Sequence, residues 1–399
     1  MNEKKQYLLS FATIMSIFCM GQIPGSIDAA ISLIAEEFHL SSTTGLYVTT
    51  ISALASVIFS MLVGMFAGKK IGYRKLIYFC AITEMLGCLL PFLVNNFGLI
   101  LVLRALFGIG FGGMMSLENT ITTILIPKEK RASVLGFGTF FGFGANCLLQ
   151  FLGGVLADIH WNYVFLNHLL LLIPFAIILF LCPDIDSLAK AEQPAEENTE
   201  KEPMPKNVFA MWCMMGIMGI TIAPLLIGCS FLSTEIHPSA AIAGVVAVFF
   251  SVGCMLGGLC YPHVFKYLRR HSLPLFLLVT ATGYVGCALA RNIPLLCIMI
   301  FIGGMGFSMS QASAMMILGL AASPSQLAMA SASMMALFNL GMFLSSPFDA
   351  LVGKITGDSL YLPLYIGAAL LVLFAVVFRL RSPFPENQVT QPESEKTHK

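Results

Sequence analysis

The sequence predicts an all-helical membrane protein whose twelve spans form two related six-helix halves. Three observations predict it: an apolar excess, a series of span-length apolar segments, and basic residues that alternate in register with those segments. Of 399 residues, 57% are hydrophobic and only 11% charged, with a mean hydropathy of +0.85. A soluble chain carries roughly 25% charged residues to coat its surface, so the apolar excess here must face lipid. The net charge of +1 says nothing about partners. Neither a basic nucleic-acid patch nor a metal-ligand cluster stands out, so no nucleic acid and no cofactor are expected.

A spanning helix needs about 20 mainly apolar residues. In chain order the candidates fall near 7–28, 43–67, 75–95, 98–121, 132–157 and 162–182, then near 207–232, 240–262, 273–290, 293–320, 325–352 and 360–380. Two long apolar stretches, 132–182 and 293–352, must each be split to reach twelve. Lys4, Lys5 and the apolar run from Tyr7 mimic a signal peptide, but no small-residue cleavage site precedes the next apolar run. The segment reads as a retained first helix.

Basic residues concentrate on the cytoplasmic side of a bilayer. With both termini cytoplasmic, the inner segments hold Lys4/Lys5, Lys69/Lys70/Arg74/Lys75, Lys128/Lys130/Arg131, Lys190/Lys201/Lys206, Lys266/Arg269/Arg270, Arg379/Arg381 and Lys396/Lys399. That is 19 of the 22 basic residues, leaving Arg291 and Lys354 outside and Arg104 within a span. A wrong helix count would scramble this alternation. Pro183–Lys206, rich in Glu, Pro and Lys, reads as a solvated linker. The expected organisation is a bundle over 1–182, a linker over 183–206, a bundle over 207–381 and a disordered tail over 382–399. The 11 cysteines, Cys19, Cys80, Cys147, Cys213, Cys254 and Cys297 among them, are spread through apolar runs without CxxC or zinc spacing. They read as small hydrophobes between helices.

The halves share a weak repeat. Span four carries Gly108, Gly110, Gly112 and Gly113, and span ten carries Gly303, Gly304 and Gly306. Spans two and eight both end in basic loops, Lys69–Lys75 and Lys266–Arg270. Gly153-Gly154 followed by Asp158 matches Gly353 followed by Gly357-Asp358. Halves related in this way, with a path at their interface, are a recurring transporter plan.

The loop Ala67-Gly68-Lys69-Lys70-Ile71-Gly72-Tyr73-Arg74-Lys75 resembles the loop signature of the major facilitator superfamily, Gly-x-Leu-Ala-Asp-Arg/Lys-x-Gly-Arg-Arg/Lys. The Gly72–Lys75 end matches. Lys69 replaces the expected acid and Met65 the first glycine, so the latch which that acid forms in the family would need another carboxylate. Arg104 followed by Gly108 and Gly110 resembles the Arg-x-x-x-Gly-x-Gly signature of proton-linked members. In antiporters of the family Gly-Pro often precedes a Gly-Gly pair; here Leu149-Gln150 precedes Gly153-Gly154. His160–Asn167 resembles the opening of span six in drug-exporter relatives. The resemblance covers nearly the whole chain and lies nearest the proton-antiporting exporter branch. It implies two bundles that rock about one central site.

Charge inside hydrocarbon costs at least ~2.5 kcal/mol on insertion scales and needs a partner or water. Asp28 at the outer end of span one and Arg104 about six residues into span four lie at comparable depths. The expectation is that Asp28 takes up and releases protons, with Arg104 tuning its proton affinity; the competing reading makes Arg104 a structural residue bonded to backbone carbonyls. Glu118, fourteen residues beyond Arg104 and roughly 21 Å away, is placed near the inner mouth, as part of a gate with Gly72, Arg74 and Lys75. Gln22, Asn146, Gln150, Gln311 and Asn339 are polar within spans, and each needs a hydrogen-bond partner. Gln22, Gln311, Asn146 and Asn339 are the expected substrate contacts. His168 has no Ser or Asp partner nearby in sequence.

The function expected is secondary active transport of a small organic molecule by alternating access, coupled to protons as efflux, by a monomer in the cell membrane. Uptake by symport or uniport is the alternative. A P-loop is absent, which excludes a pump of that type, and an integral membrane enzyme or sensor is the remote third reading.

Overall fold

The computed structural model describes residues 3–384 apart from Pro24, Lys69, residues 193–203, Ser323 and residues 357–360. The described chain is a succession of long helices. They are α1 (Glu3–Gly21), α2 (Tyr47–Phe66), α3 (Tyr73–Leu89), α4 (Phe97–Leu125) and α5 (Lys128–Ile159). In α6 a 3-10 segment, Trp161–Leu171, leads into an α-helix, Leu172–Leu181. The second half holds α7 (Lys206–Ile236), α8 (Ala240–Leu268), α9 (Ser272–Leu289), α10 (Ile293–Ala321), α11 (Pro324–Thr356) and α12 (Leu362–Leu380). Among the described residues nine stretches are long and apolar enough to cross a membrane, one of which, Ala240–Leu289, contains both α8 and α9. Together with α1 and the shorter apolar helix at Tyr47–Val63, they account for the twelve spans. A bilayer leaves backbone groups no water to bond, and helices satisfy them internally. The protein is a multi-pass membrane protein of two six-helix bundles.

The two long apolar stretches divide at extended residues, 132–182 at His160 and 293–352 at Ala322 (φ −86°, ψ 144°). His160 is extended (φ −159°, ψ 137°) and ends α5. Asn96 and Asn292 start α4 and α10 as side-chain caps, each accepting the amide three residues on, at 3.0 and 2.9 Å. Such caps satisfy donors that a helix start leaves open.

The repeat is structural. A Cβ on Gly108 would strike the backbone of Ser52 in α2, and one on Gly304 the backbone of Phe250 in α8. Likewise Gly110 lies on Cys80 and Glu84 of α3, and Gly306 on Phe276 and Thr280 of α9. Glycine at these places lets α4 and α10 approach two neighbours at backbone contact, which is how apolar helices gain packing energy in lipid.

Two local features depart from the sequence reading. The first span is broken: α1 stops at Gly21, turns carry the chain to a 3-10 segment at Asp28–Ala30, and a short helix follows at Ile31–Glu37. The expected solvated linker begins with a helix, Ile185–Glu192, whose Asp186 accepts the Tyr73 amide at 2.6 Å. Residues 193–203 of that linker, 385–399 of the tail, Lys69 in the loop signature and Gly357-Asp358 of the repeat lie outside the described residues.

The halves meet mainly through α5 with α8 and α2 with α11. The described hydrogen bonds between them join Thr50 to Ser346, Asn146 and Gln150 to Ser251, and Asp158 to the start of α8. All lie toward the end remote from the basic loops. The bundles are closed at that far end.

Candidate functional site

The break after α1 is what positions the site. Unwound backbone is tolerated at membrane depth only inside protein or beside a cavity, and here it turns Gln22, Ser26 and Asp28 inward. Asp28 is 2% exposed, not at a solvated helix terminus. Its Oδ1 accepts the Thr49 hydroxyl at 3.2 Å. Arg104 is fully buried; its Nε donates to the Val48 carbonyl at 3.1 Å, and its guanidinium lies 4.2 Å from the centre of the Phe107 ring. No direct ion pair joins Asp28 and Arg104 among the described residues. The first turn of α2 stands between them, with adjacent residues holding one each. In this conformation Arg104 is bonded to a backbone carbonyl, and the acid and base are neighbours through Val48–Thr49. A Cβ on Gly25 would meet Asp28 Oδ2 at 2.7 Å and Gln150 Nε2 at 2.9 Å, so those two groups flank one glycine.

Nearer the basic end, Gln22 Nε2 lies 3.1 and 3.0 Å from the two carboxylate oxygens of Glu118. Glu118 thus bonds the turn after α1 and is 5% exposed; no hydrogen bond joins it to Gly72, Arg74 or Lys75 among the described residues. Hydropathy along α4 could not show this, because the partner comes from another helix. Gly142 of α5 packs on the Gln22 side chain. Asn146 donates to Ser251 at 3.2 Å and Gln150 accepts from Ser251 at 2.9 Å, so one α8 hydroxyl joins two α5 amides across the interface. In the second half Gln311 is half-buried on α10, with its amide 3.7 Å from the Met335 sulfur; Asn339, 6% exposed, follows Met335 by one turn on α11. The structure brings Gln22 and Glu118 together, with Asn146 one turn beyond the Gly142 that packs on Gln22, and keeps Gln311 and Asn339 in the second bundle.

Gly72, Arg74 and Lys75 form a separate group at the basic end. Gly68 adopts φ 72° and its amide bonds the Ile71 carbonyl at 2.9 Å, closing a tight loop. A Cβ there would overlap the Tyr73 ring, so glycine is needed twice over. Gly72 begins α3 beside the Asp186 carboxylate, and Arg74 donates to the Tyr78 hydroxyl at 3.0 Å. Lys75 is exposed. Asp186 brings the loop a carboxylate that the sequence lacks at Lys69.

Four further residues escaped the sequence reading or were placed wrongly by it. Glu84 on α3 is fully buried and Asp349 on α11 is 7% exposed; a single acid inside each apolar run was the available signal. His168 does have a partner, the Ser26 hydroxyl at 2.8 Å, brought to it by the α1 turn. Asp158 was visible only as part of a repeat. Its carboxylate caps α8 across the interface, bonding Ser239 Oγ at 2.7 Å, the Ala241 amide at 3.2 Å and the Ala240 amide.

Comparison with known proteins places this architecture. An uncharacterised transporter of Schizosaccharomyces pombe is 29% identical over 173 residues, 43% of this chain and 29% of that protein. Vacuolar basic amino acid transporter 2 of Saccharomyces cerevisiae is 27% identical over 188 residues, 46% of this chain and 39% of that protein. The matched regions thus span well under half of either relative. The crystal structure of a point mutant of the nucleoside transporter NupG superposes with a TM-score of 0.72 over 94% of this chain and 99% of that one, at 14% identity, which speaks to the fold. The family model of the Major Facilitator Superfamily matches residues 8–228 and 208–398, so both halves carry its pattern. With two bundles, matched glycine contacts and a polar interface between them, the chain belongs to the Major Facilitator Superfamily.

Proposed function

We propose that this transporter exports a small organic molecule by alternating access and is driven by proton entry. The observation that carries the reading is the buried Asp28–Thr49 and Val48–Arg104 arrangement. A carboxylate and a guanidinium are held out of water on one turn of α2, next to the interface where the halves separate. Charge there is expensive, and neither bundle needs it to close: the second half has Ile300 where the first has Arg104, counting from the paired glycines. Protonation of Asp28 changes the charge balance at α2, which touches α11 through Thr50 and Ser346. That contact gives the proton a route to the interface between halves.

With the basic loops cytoplasmic, this conformation is closed to the outside. Segments 1–182 and 207–381 would rock as units about the linker 183–206, with 382–399 as a cytoplasmic tail. Gln22, Asn146, Gln311 and Asn339 would contact cargo, and the Gly72–Lys75 loop, held by Asp186, would gate the inner side. The carrier would act as a monomer in the cell membrane. Intramembrane charge is sparse, which disfavours a multiply charged cargo.

Inverted vesicles with an imposed proton gradient and a panel of candidate compounds test the reading. Uptake of at least one compound that follows the gradient supports it, and transport indifferent to the gradient removes it. Symport or uniport is the second reading, favoured by Gln150, whose cross-interface bond occupies the place where antiporters of the family often carry Gly-Pro.

A further inference from the structure

Glu84 takes no part in the site described above, yet it is the most deeply buried carboxylate among the described residues. Its position follows from glycine contacts. Gly87 of α3 lies on the backbone of Phe107 and Leu103, and Gly110 of α4 lies on the backbone of Glu84. With α3 and α4 antiparallel, Glu84 sits at the level of Gly110, about 9 Å along the axis from Arg104 and about 12 Å from Glu118 at 1.5 Å per residue. Both Glu84 oxygens are enclosed without a hydrogen-bond partner, and so are Nη1 and Nη2 of Arg104. The two groups lie within electrostatic reach of each other across the α3–α4 contact, as do Asp28 and Arg104 across α2.

Orphaned groups of opposite charge on adjoining helices are costly, because neither desolvation is offset. Packing does not demand them. In the second half Thr280 fills the place of Glu84, its hydroxyl satisfied by the Phe276 carbonyl at 2.8 Å, and Ile300 fills that of Arg104. An arrangement that is unsatisfied in one conformation and absent from the other half belongs to a different step of the cycle.

We infer that Glu84 is a second proton-carrying carboxylate, sharing the Arg104 guanidinium with Asp28. The inference rests on the proton-coupled reading and adds a residue to it. One guanidinium balances one carboxylate, and the other is neutral only with a proton on it. In the present conformation Arg104 is turned to α2, beside Asp28, and Glu84 holds the proton. When Asp28 binds a proton from the far end, an O–H bond forms there and the guanidinium is freed. Glu84 then releases its proton toward the basic end, its O–H bond breaks, and the resulting carboxylate takes the guanidinium. One proton enters and one leaves, with no other reactant. The remaining titratable groups around this pair are Glu118 on α4, Cys80 and Cys88 on α3, and His168 on α6.

Infrared difference spectra between acid and alkaline buffer, taken on the full-length protein in lipid nanodiscs, report protonated carboxyl groups directly. Glu84→Gln is expected to remove one exchanging carboxyl band and to alter the exchange of the Asp28 band, identified by its loss in Asp28→Asn. Glu84→Thr, which copies the second half, guards against a folding defect in the first variant, and Glu84→Asp must keep a band at a shifted frequency. If the Asp28 band titrates identically in all three Glu84 variants, or Glu84→Asp shifts no band, the shared-guanidinium inference is overturned while the role of Asp28 stands. If the wild-type protein shows no Asp28 band, the proton-coupled reading itself fails.

Discussion

Gln22 places one amide nitrogen between both carboxylate oxygens of Glu118, at 3.1 and 3.0 Å, where the turn after α1 meets α4. A carboxylate this buried depends on its donor, since removing the partner of a buried charged group costs about 1–3 kcal/mol or more. Gln22→Ala is therefore expected to lower the thermal unfolding temperature in detergent. Glu118→Gln keeps an amide–amide bond at the same place and should unfold near the wild-type temperature. If Glu118 also meets cargo, Glu118→Gln reduces transport of the compound found in the vesicle panel at least 10-fold with stability held. Equal loss of stability in both variants would reduce Glu118 to a packing element.

Asp28→Asn removes the exchangeable proton but keeps a side chain that accepts from the Thr49 hydroxyl. Gradient-driven export should fall to background. Exchange of labelled for unlabelled cargo across the same vesicles, which needs no net proton movement, should persist within a few-fold of wild type. Loss of both activities together would place Asp28 in the cargo site and not in coupling.

Much of this molecule was legible because lipid imposes simple rules. Span length and the alternation of basic loops are local properties, and they predicted the helices and their order. The split of the apolar stretch 132–182 into 132–157 and 162–182 brackets His160, where α5 ends. What could not be read was set by partners distant in sequence. Glu118 was grouped with the basic loop because only depth along α4 was available, and its bond to Gln22 joins α4 to the turn after α1. His168 was left without a partner for the same reason, since Ser26 reaches it across a turn. Glu84 is a different failure: one acid in an apolar span was visible, and reading that span only for its length passed over it.

Asp158 ends α5 and caps α8 of the other bundle with three hydrogen bonds. Replacing a capping acid costs ~1 kcal/mol, with a range of about 0.5–2. Here the cost falls on the far-end closure, because the capped helix belongs to the opposite half. Asp158→Ala should shift the balance toward far-end opening by roughly 5-fold, at 1.4 kcal/mol per factor of 10. A cysteine placed at Ser346, buried at the same closure against Thr50, reports the shift. With the exposed Cys213 and Cys260 replaced, its labelling by a membrane-impermeant maleimide should rise in step. Unchanged labelling would mean that the α5–α8 cap is not part of the gate.

The glycine contacts offer a test in which geometry alone decides the sign. A Cβ on Gly108 lands on the Ser52 carbonyl and one on Gly304 on the Phe250 carbonyl, both backbone atoms that cannot turn aside. Gly108→Ala and Gly304→Ala must push α4 from α2 and α10 from α8, and overpacking of this kind costs about 1–3 kcal/mol. Gly144, on α5, has nothing within 4 Å of its built Cβ. Gly144→Ala there gains the ~1 kcal/mol by which alanine exceeds glycine in a helix interior. Thermal unfolding in the same detergent should rank Gly144→Ala at or above wild type and the other two clearly below it. Because the two damaging changes strike corresponding contacts in the two halves, their losses should be similar in size. A harmless Gly304→Ala beside a damaging Gly108→Ala would show that the second bundle packs more loosely than the first, and that the two halves do not share the load of closing the transporter.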